Sequence, residues 1–168
     1  MVVTVAMACA GTDRPAWRFE VYPMEDFNLT SKAFKDGDFI PDKYGCKGEN
    51  ISPPLTIDEI PEGTVSLVII MDDPDAPVGT FTHWAVWDIE PIREIGEGSI
   101  PGTEGKNDFG KVGYGGPCPP AGTHRYFFRI YALDGKIGLE QGAPRDALEE
   151  AMKGRIVGEG QLMGRYSR

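Results

Sequence analysis

Val65–Met71 reads VSLVIIM and runs straight into Asp72-Asp73-Pro74-Asp75-Ala76-Pro77. The first part is β-branched and almost continuously apolar. A strand with one wet face alternates, so this run predicts a central strand buried on both faces. The second part stops it, because proline fixes backbone angles and withholds a donor while aspartate bonds nearby amides. A carboxylate held by prolines at the exit of a buried strand sits at the edge of the core, where it can serve a pocket.

Working outward, His83–Ile89 (HWAVWDI) and Arg125–Leu133 (RYFFRIYAL) read as two further core strands. In the latter, Tyr126, Phe128 and Ile130 share one face and Arg125, Phe127, Arg129 and Tyr131 the other. Residues 16–23, with Trp17, Phe19, Val21 and Tyr22, suit an early strand, and residues 156–166 a last one. Residues 36–54 carry Gly37, Pro41, Gly45, Gly48, Pro53 and Pro54 and predict loop with short extended pieces. One helix is expected, with Pro144 at its first position, Asp146, Glu149 and Glu150 in its early turns, and Gly154 at its end. Leu148, Ala151 and Met152 form its apolar stripe. Repeated β–α alternation is absent, which points to a mainly β antiparallel sandwich or barrel with a peripheral helix.

The chain has 168 residues, enough for one domain with its own core. Its 22 glycines and 14 prolines favour many turns and long loops. With 17 basic against 26 acidic residues the net charge is −9, which repels nucleic acid and anionic membranes. A small anion can still be bound by a few focused donors. The three cysteines, Cys9, Cys46 and Cys118, lack metal-pair spacing, and the sequence leaves a Cys46–Cys118 bridge open. No apolar run approaches the roughly 18 residues of a membrane span. Residues 1–20 read as a tail or edge strand, and the expected location is cytoplasmic. The apolar start at Val2–Ala10 lacks a basic n-region. The alternative is the end of a trimmed export or lipoprotein signal near Cys9.

The chemistry gathers at strand ends. The only two histidines, His83 and His124, each open a core strand. His124 and Tyr126 lie on one side of theirs, and Asp73 closes the strand before His83. Imidazoles titrate near neutrality and can donate to phosphate or carboxylate. Asp73 would orient a histidine or accept the proton of a monoprotonated phosphate. The connection over residues 91–123, read as a structureless glycine-rich loop, includes Gly113-Tyr114-Gly115-Gly116-Pro117, which can turn backbone amides toward one anion. Two enzymatic alternatives stand beside this. His83, His124 and Asp73 could hold a divalent metal, or Cys118 could act as a nucleophile beside a histidine. Cys118 lies between Pro117 and Pro119 and follows no helix N-terminus that would lower its pKa.

Asp73-Pro74-Asp75-Ala76-Pro77, His83-Trp84, Gly113 to Pro120 (GYGGPCPP) and His124-Arg125-Tyr126 together resemble the signature blocks of the phosphatidylethanolamine-binding protein family. Supporting segments are Phe34-Lys35-Asp36-Gly37, Ile51-Ser52-Pro53-Pro54-Leu55, Asn107-Asp108-Phe109-Gly110 and Tyr131-Ala132-Leu133-Asp134. The likeness, to the bacterial and archaeal Raf-kinase-inhibitor-like branch, spans about residues 24–168 and makes residues 21–168 the domain. It implies a Greek-key β-sandwich of two antiparallel sheets with one or two peripheral helices. It also implies an anion pocket of Asp73, His83, Gly116, Pro117, His124 and Tyr126, rimmed by Ala76 and Pro77. The implied role is non-catalytic, without cofactor or metal: binding a small anion or phosphorylated head group, with a kinase or serine protease as protein target and homodimerisation as in prokaryotic relatives. Set against that likeness, the short connection Val78–Thr82 and an ending at Arg168 without the C-terminal helix of animal members would leave the rim more open than theirs.

Overall fold

In the computed structural model, which describes residues 24–168, nine strands and one α-helix follow each other along the chain. They are β1 (Glu25–Asp26), β2 (Asn28–Thr30), β3 (Leu55–Asp58), β4 (Ser66–Asp73), β5 (Phe81–Ile89), β6 (Glu94–Ile95), β7 (Thr103–Glu104), β8 (Thr123–Leu133), α1 (Arg145–Met152) and β9 (Ile156–Ser167). The strand expected at residues 16–23 and the tail at 1–20 lie outside the described residues.

The larger sheet has six strands in the order β1-β9-β8-β4-β5-β7, and the smaller has three in the order β2-β3-β6. Within the larger sheet the order β8-β4-β5-β7 places the fourth strand beside the first, the Greek-key arrangement. The expected two-sheet, mainly β fold is therefore the observed one. One pairing departs from the antiparallel rule: β1 runs parallel to β9 at the sheet edge.

β4 is buried at every position because both faces of the larger sheet are covered. Leu67, Ile69 and Met71 face the smaller sheet together with Trp84, Val86, Phe128 and Ile130. Val68 and Ile70 face the other way, against Ala85, Trp87, Leu148 and Met152. The unbroken apolar run is thus the signature of a strand between a sheet and a helix. In β8 the alternation of buried and more open positions follows the two faces read from the sequence.

Three local expectations are corrected. Pro144 stands just before the helix with extended backbone (φ −76°, ψ 162°), so the first helical residue is Arg145. The connection over residues 91–123 is not structureless; it contributes β6 to the smaller sheet and β7 to the edge of the larger one. β5 begins two residues earlier than expected, at Phe81, so His83 lies inside the strand rather than opening it.

Candidate ligand-binding site

The sequence-predicted residues converge where β4 ends and β5 and β8 begin. Asp73, the last residue of β4, is 3% exposed, and its two oxygens are both engaged. Oδ1 accepts the Asp75 amide at 2.8 Å, the aspartate turn expected of this motif. Oδ2 meets Nδ1 of His124 at 2.7 Å, which orients that ring. The following turn is tied to β8 by Asp75, whose carboxylate takes both Nε and Nη2 of Arg125 at 2.9 and 2.8 Å. That ion pair lowers the Asp75 pKa to about 2.

His83 reaches the site through an irregularity. The β4–β5 register passes from Met71 opposite Trp84 to Asp72 opposite Thr82, so His83 is an extra residue with no opposite number. Such a bulge re-aims a side chain. Trp84 keeps its place in the core between the sheets, while the neighbouring His83 ring stands edge-on to Tyr126 at 5.1 Å and packs on Phe81 at 5.1 Å. Its Nδ1 hydrogen-bonds the Gly115 carbonyl at 2.7 Å, and the Gly115 amide returns a bond to the His83 carbonyl at 2.9 Å. Burial holds the His83 pKa below its ordinary value, so the neutral ring is favoured. Nδ1 is then the N–H that donates to Gly115, and Nε2 carries the lone pair. The Tyr126 hydroxyl is buried beside Asp73 and the Cys118 backbone and meets neither at full hydrogen-bond geometry. Its pKa is raised, first by burial and then by the neighbouring Asp73 charge, so it remains a fixed O–H donor.

A cavity of about 280 Å³ opens onto this group. Asp73 and His83 line it together with Ala76, Pro77, Val78, Phe81, Phe109, Cys118 and Pro120. No lysine or arginine lines it, so its titratable lining is a carboxylate and an imidazole. Ala76 and Pro77 are at the wall, whereas His124 and Tyr126 are not part of its lining. Gly116 instead lines a neighbouring space of about 360 Å³ behind Phe109. Pro117 lines neither; its carbonyl accepts the Cys46 amide at 3.0 Å. Phe81 and Phe109 escaped the sequence reading. Their signal was aromatic residues flanking His83 and the glycine loop; Phe109 is 46% exposed yet packs edge-on to His83 at 5.2 Å.

The expectation that the glycine loop turns free amides toward an anion is corrected. The amides of Gly113, Gly115 and Gly116 are donated to Gly105 O, His83 O and Asn50 Oδ1 at 3.1, 2.9 and 2.8 Å. These glycines serve close packing instead. A Cβ on Gly116 would lie 2.2 Å from the Tyr44 carbonyl, and one on Gly115 would lie 2.6 Å from the Phe109 ring. The thiol alternative is also corrected, because Cys118 is joined to Cys46 in a disulfide. Among the described residues no group of three or more histidine, cysteine, aspartate or glutamate side chains is placed to hold a metal ion. No described helix is long and apolar enough to cross a membrane.

Comparison with known proteins agrees with the motifs. The family model described as phosphatidylethanolamine-binding protein matches residues 30–167. A UPF0098 protein of Pyrococcus abyssi is 48% identical over 155 residues, covering 86% of this chain and 87% of its own. Among solved structures, a phosphatidylethanolamine-binding protein homologue from Chlamydia trachomatis superposes with a TM-score of 0.83 at 42% identity, covering 86% of this chain and 99% of that one. E. coli YbcL, described as a member of the mammalian PEBP family, superposes with a TM-score of 0.79 at 29% identity, covering 85% of this chain and 99% of that one. The chain belongs to the phosphatidylethanolamine-binding protein family.

Proposed function

We propose that the chain is a non-catalytic binding protein whose cavity at the ends of β4, β5 and β8 takes a small phosphate-type anion or phosphorylated head group. One observation carries this reading: a buried polar cluster of Asp73, His83, His124 and Tyr126 lies beside an otherwise apolar cavity of about 280 Å³. Its size suits a head group rather than a larger ligand. A non-catalytic role is supported by Cys118 being held in a disulfide rather than free as a nucleophile. Exposed Val78 and Phe109 at the mouth favour a protein client, such as a kinase or serine protease, meeting the occupied pocket.

The test is thermal unfolding with millimolar inorganic phosphate. A ligand that binds only the folded state raises the melting temperature, and His124→Ala should abolish the rise. Absence of any rise, together with unmoved ring resonances of both histidines, would overturn the anion reading.

A further inference from the structure

The polar groups lining the cavity are acceptors, which is unusual for a site meant to hold an anion. Asp73 is a buried carboxylate, and the Gly115 carbonyl claims the Nδ1 proton of His83, leaving that ring a lone pair at Nε2. No lysine or arginine lines the space; the Arg125 guanidinium, which feels the Asp73 charge, is committed to Asp75. A fully deprotonated anion brought here would set its oxygens against a carboxylate and a lone pair in a space with otherwise mostly apolar walls. Both contacts are repulsive, and low polarity magnifies them. An anion that keeps one acidic hydrogen turns one of these contacts into a hydrogen bond. Its O–H donates to Asp73 or to His83 Nε2.

Resting on the anion reading, we propose that the site selects monoprotonated oxyanions, the monoanion of a phosphate monoester being the type, and rejects anions of equal charge and shape that carry no hydrogen. Asp73 and His83 are then the specificity-determining residues. Sites built to meet a ligand O–H discriminate strongly against analogues that lack it, because the acceptor is left unpaired.

Methyl phosphate and methyl sulfate make the comparison directly. Below the second phosphate pKa of about 6, both are tetrahedral monoanions and differ by one hydrogen. The groups facing the site that also titrate or carry charge are Asp73 on β4, His124, Tyr126 and Arg125 on β8, and Asp108 beside the cavity loop. Their own titrations act on both esters, so the ratio isolates the ligand proton. Calorimetric titration of the wild type at pH 6 should give methyl phosphate an affinity about tenfold or more above methyl sulfate. Above pH 7 the methyl phosphate affinity should fall about tenfold per pH unit as the monoanion disappears. In Asp73→Asn, whose side chain offers a donor, methyl sulfate should close the gap. Equal binding of the two esters by the wild type overturns the selectivity while leaving the anion reading intact. Binding of neither ester overturns both.

Discussion

A single unpaired residue puts His83 where it is. Strict alternation would place it on the opposite face from Trp84, but the bulge lets both serve the side of the sheet that faces the smaller sheet. Its burial then has a consequence in solution. The folded ring binds its proton less readily than the unfolded one, whose pKa is 6.5. Its contribution to stability is therefore fully present above pH 6.5 and is lost as pH falls through the lower folded value. Histidine ring resonances followed by NMR should give His83 a midpoint below 6.5; a midpoint at or above it contradicts the assignment. Gly116 makes a second prediction at this scale. An added methyl meets the Tyr44 carbonyl at 2.2 Å and Asn50 Oδ1 at 2.4 Å; the first is backbone, and the second is held by the Gly116 amide itself. Gly116→Ala should lower stability in urea by about 1–3 kcal/mol, the usual range for overpacking.

At the scale of elements, the attachment of α1 is partly ionic. Asp72, 1% exposed on the outer side of β4, accepts Arg129 Nε at 3.1 Å and Arg145 Nη2 at 3.2 Å, while its Oδ1 stays without a partner. Arg145 is the first residue of the helix, so this bond anchors its start, as Leu148 and Met152 anchor its apolar stripe. Arg145→Ala leaves the buried carboxylate with Arg129 alone. The expected loss is about 1–2 kcal/mol, below the cost of orphaning a fully buried pair because both arginines are partly solvated. Hydrogen exchange in residues 145–152 should accelerate while β4 and β8 keep their protection. The open side of β9 is handled differently: the amides of Phe27, Gly37 and Ile40 bond Glu159, Met163 and Arg165 carbonyls at 2.8–3.0 Å. Preceding chain thus covers an edge that would otherwise invite pairing.

For the whole molecule, the Cys46–Cys118 bridge joins positions 72 residues apart and passes beside both cavities. Around it the Cys46 amide donates to Pro117 O at 3.0 Å, the Gly116 amide to Asn50 Oδ1 at 2.8 Å and the Tyr114 hydroxyl to Tyr44 O at 2.8 Å. The disulfide thus closes a long loop onto the wall of the site. Replacing Cys118 with Ser should cost about 2–4 kcal/mol of unfolding free energy. The far-ultraviolet circular dichroism should stay unchanged, because neither cysteine lies in a strand or in the helix. A variant as stable as the wild type would show that the hydrogen bonds suffice.

Much of this could be read along the chain. VSLVIIM announced a doubly covered strand, RYFFRIYAL its two faces, and the Asp-Pro turn the strand end at which Asp73 meets the cavity. Those signals are local, since burial on one or both faces is written in the period of a strand's own residues. What waited for the folded chain were relations between distant segments. The bulge that turns His83, the acceptors that consume the glycine amides, and the partner of Cys118 each depend on register or distance between strands. Side-chain order cannot state them, because they are settled by how β4, β5 and β8 slide against one another and by what the segment at residues 42–50 presses against. That difference turned an expected nest of donors into a cavity lined by acceptors.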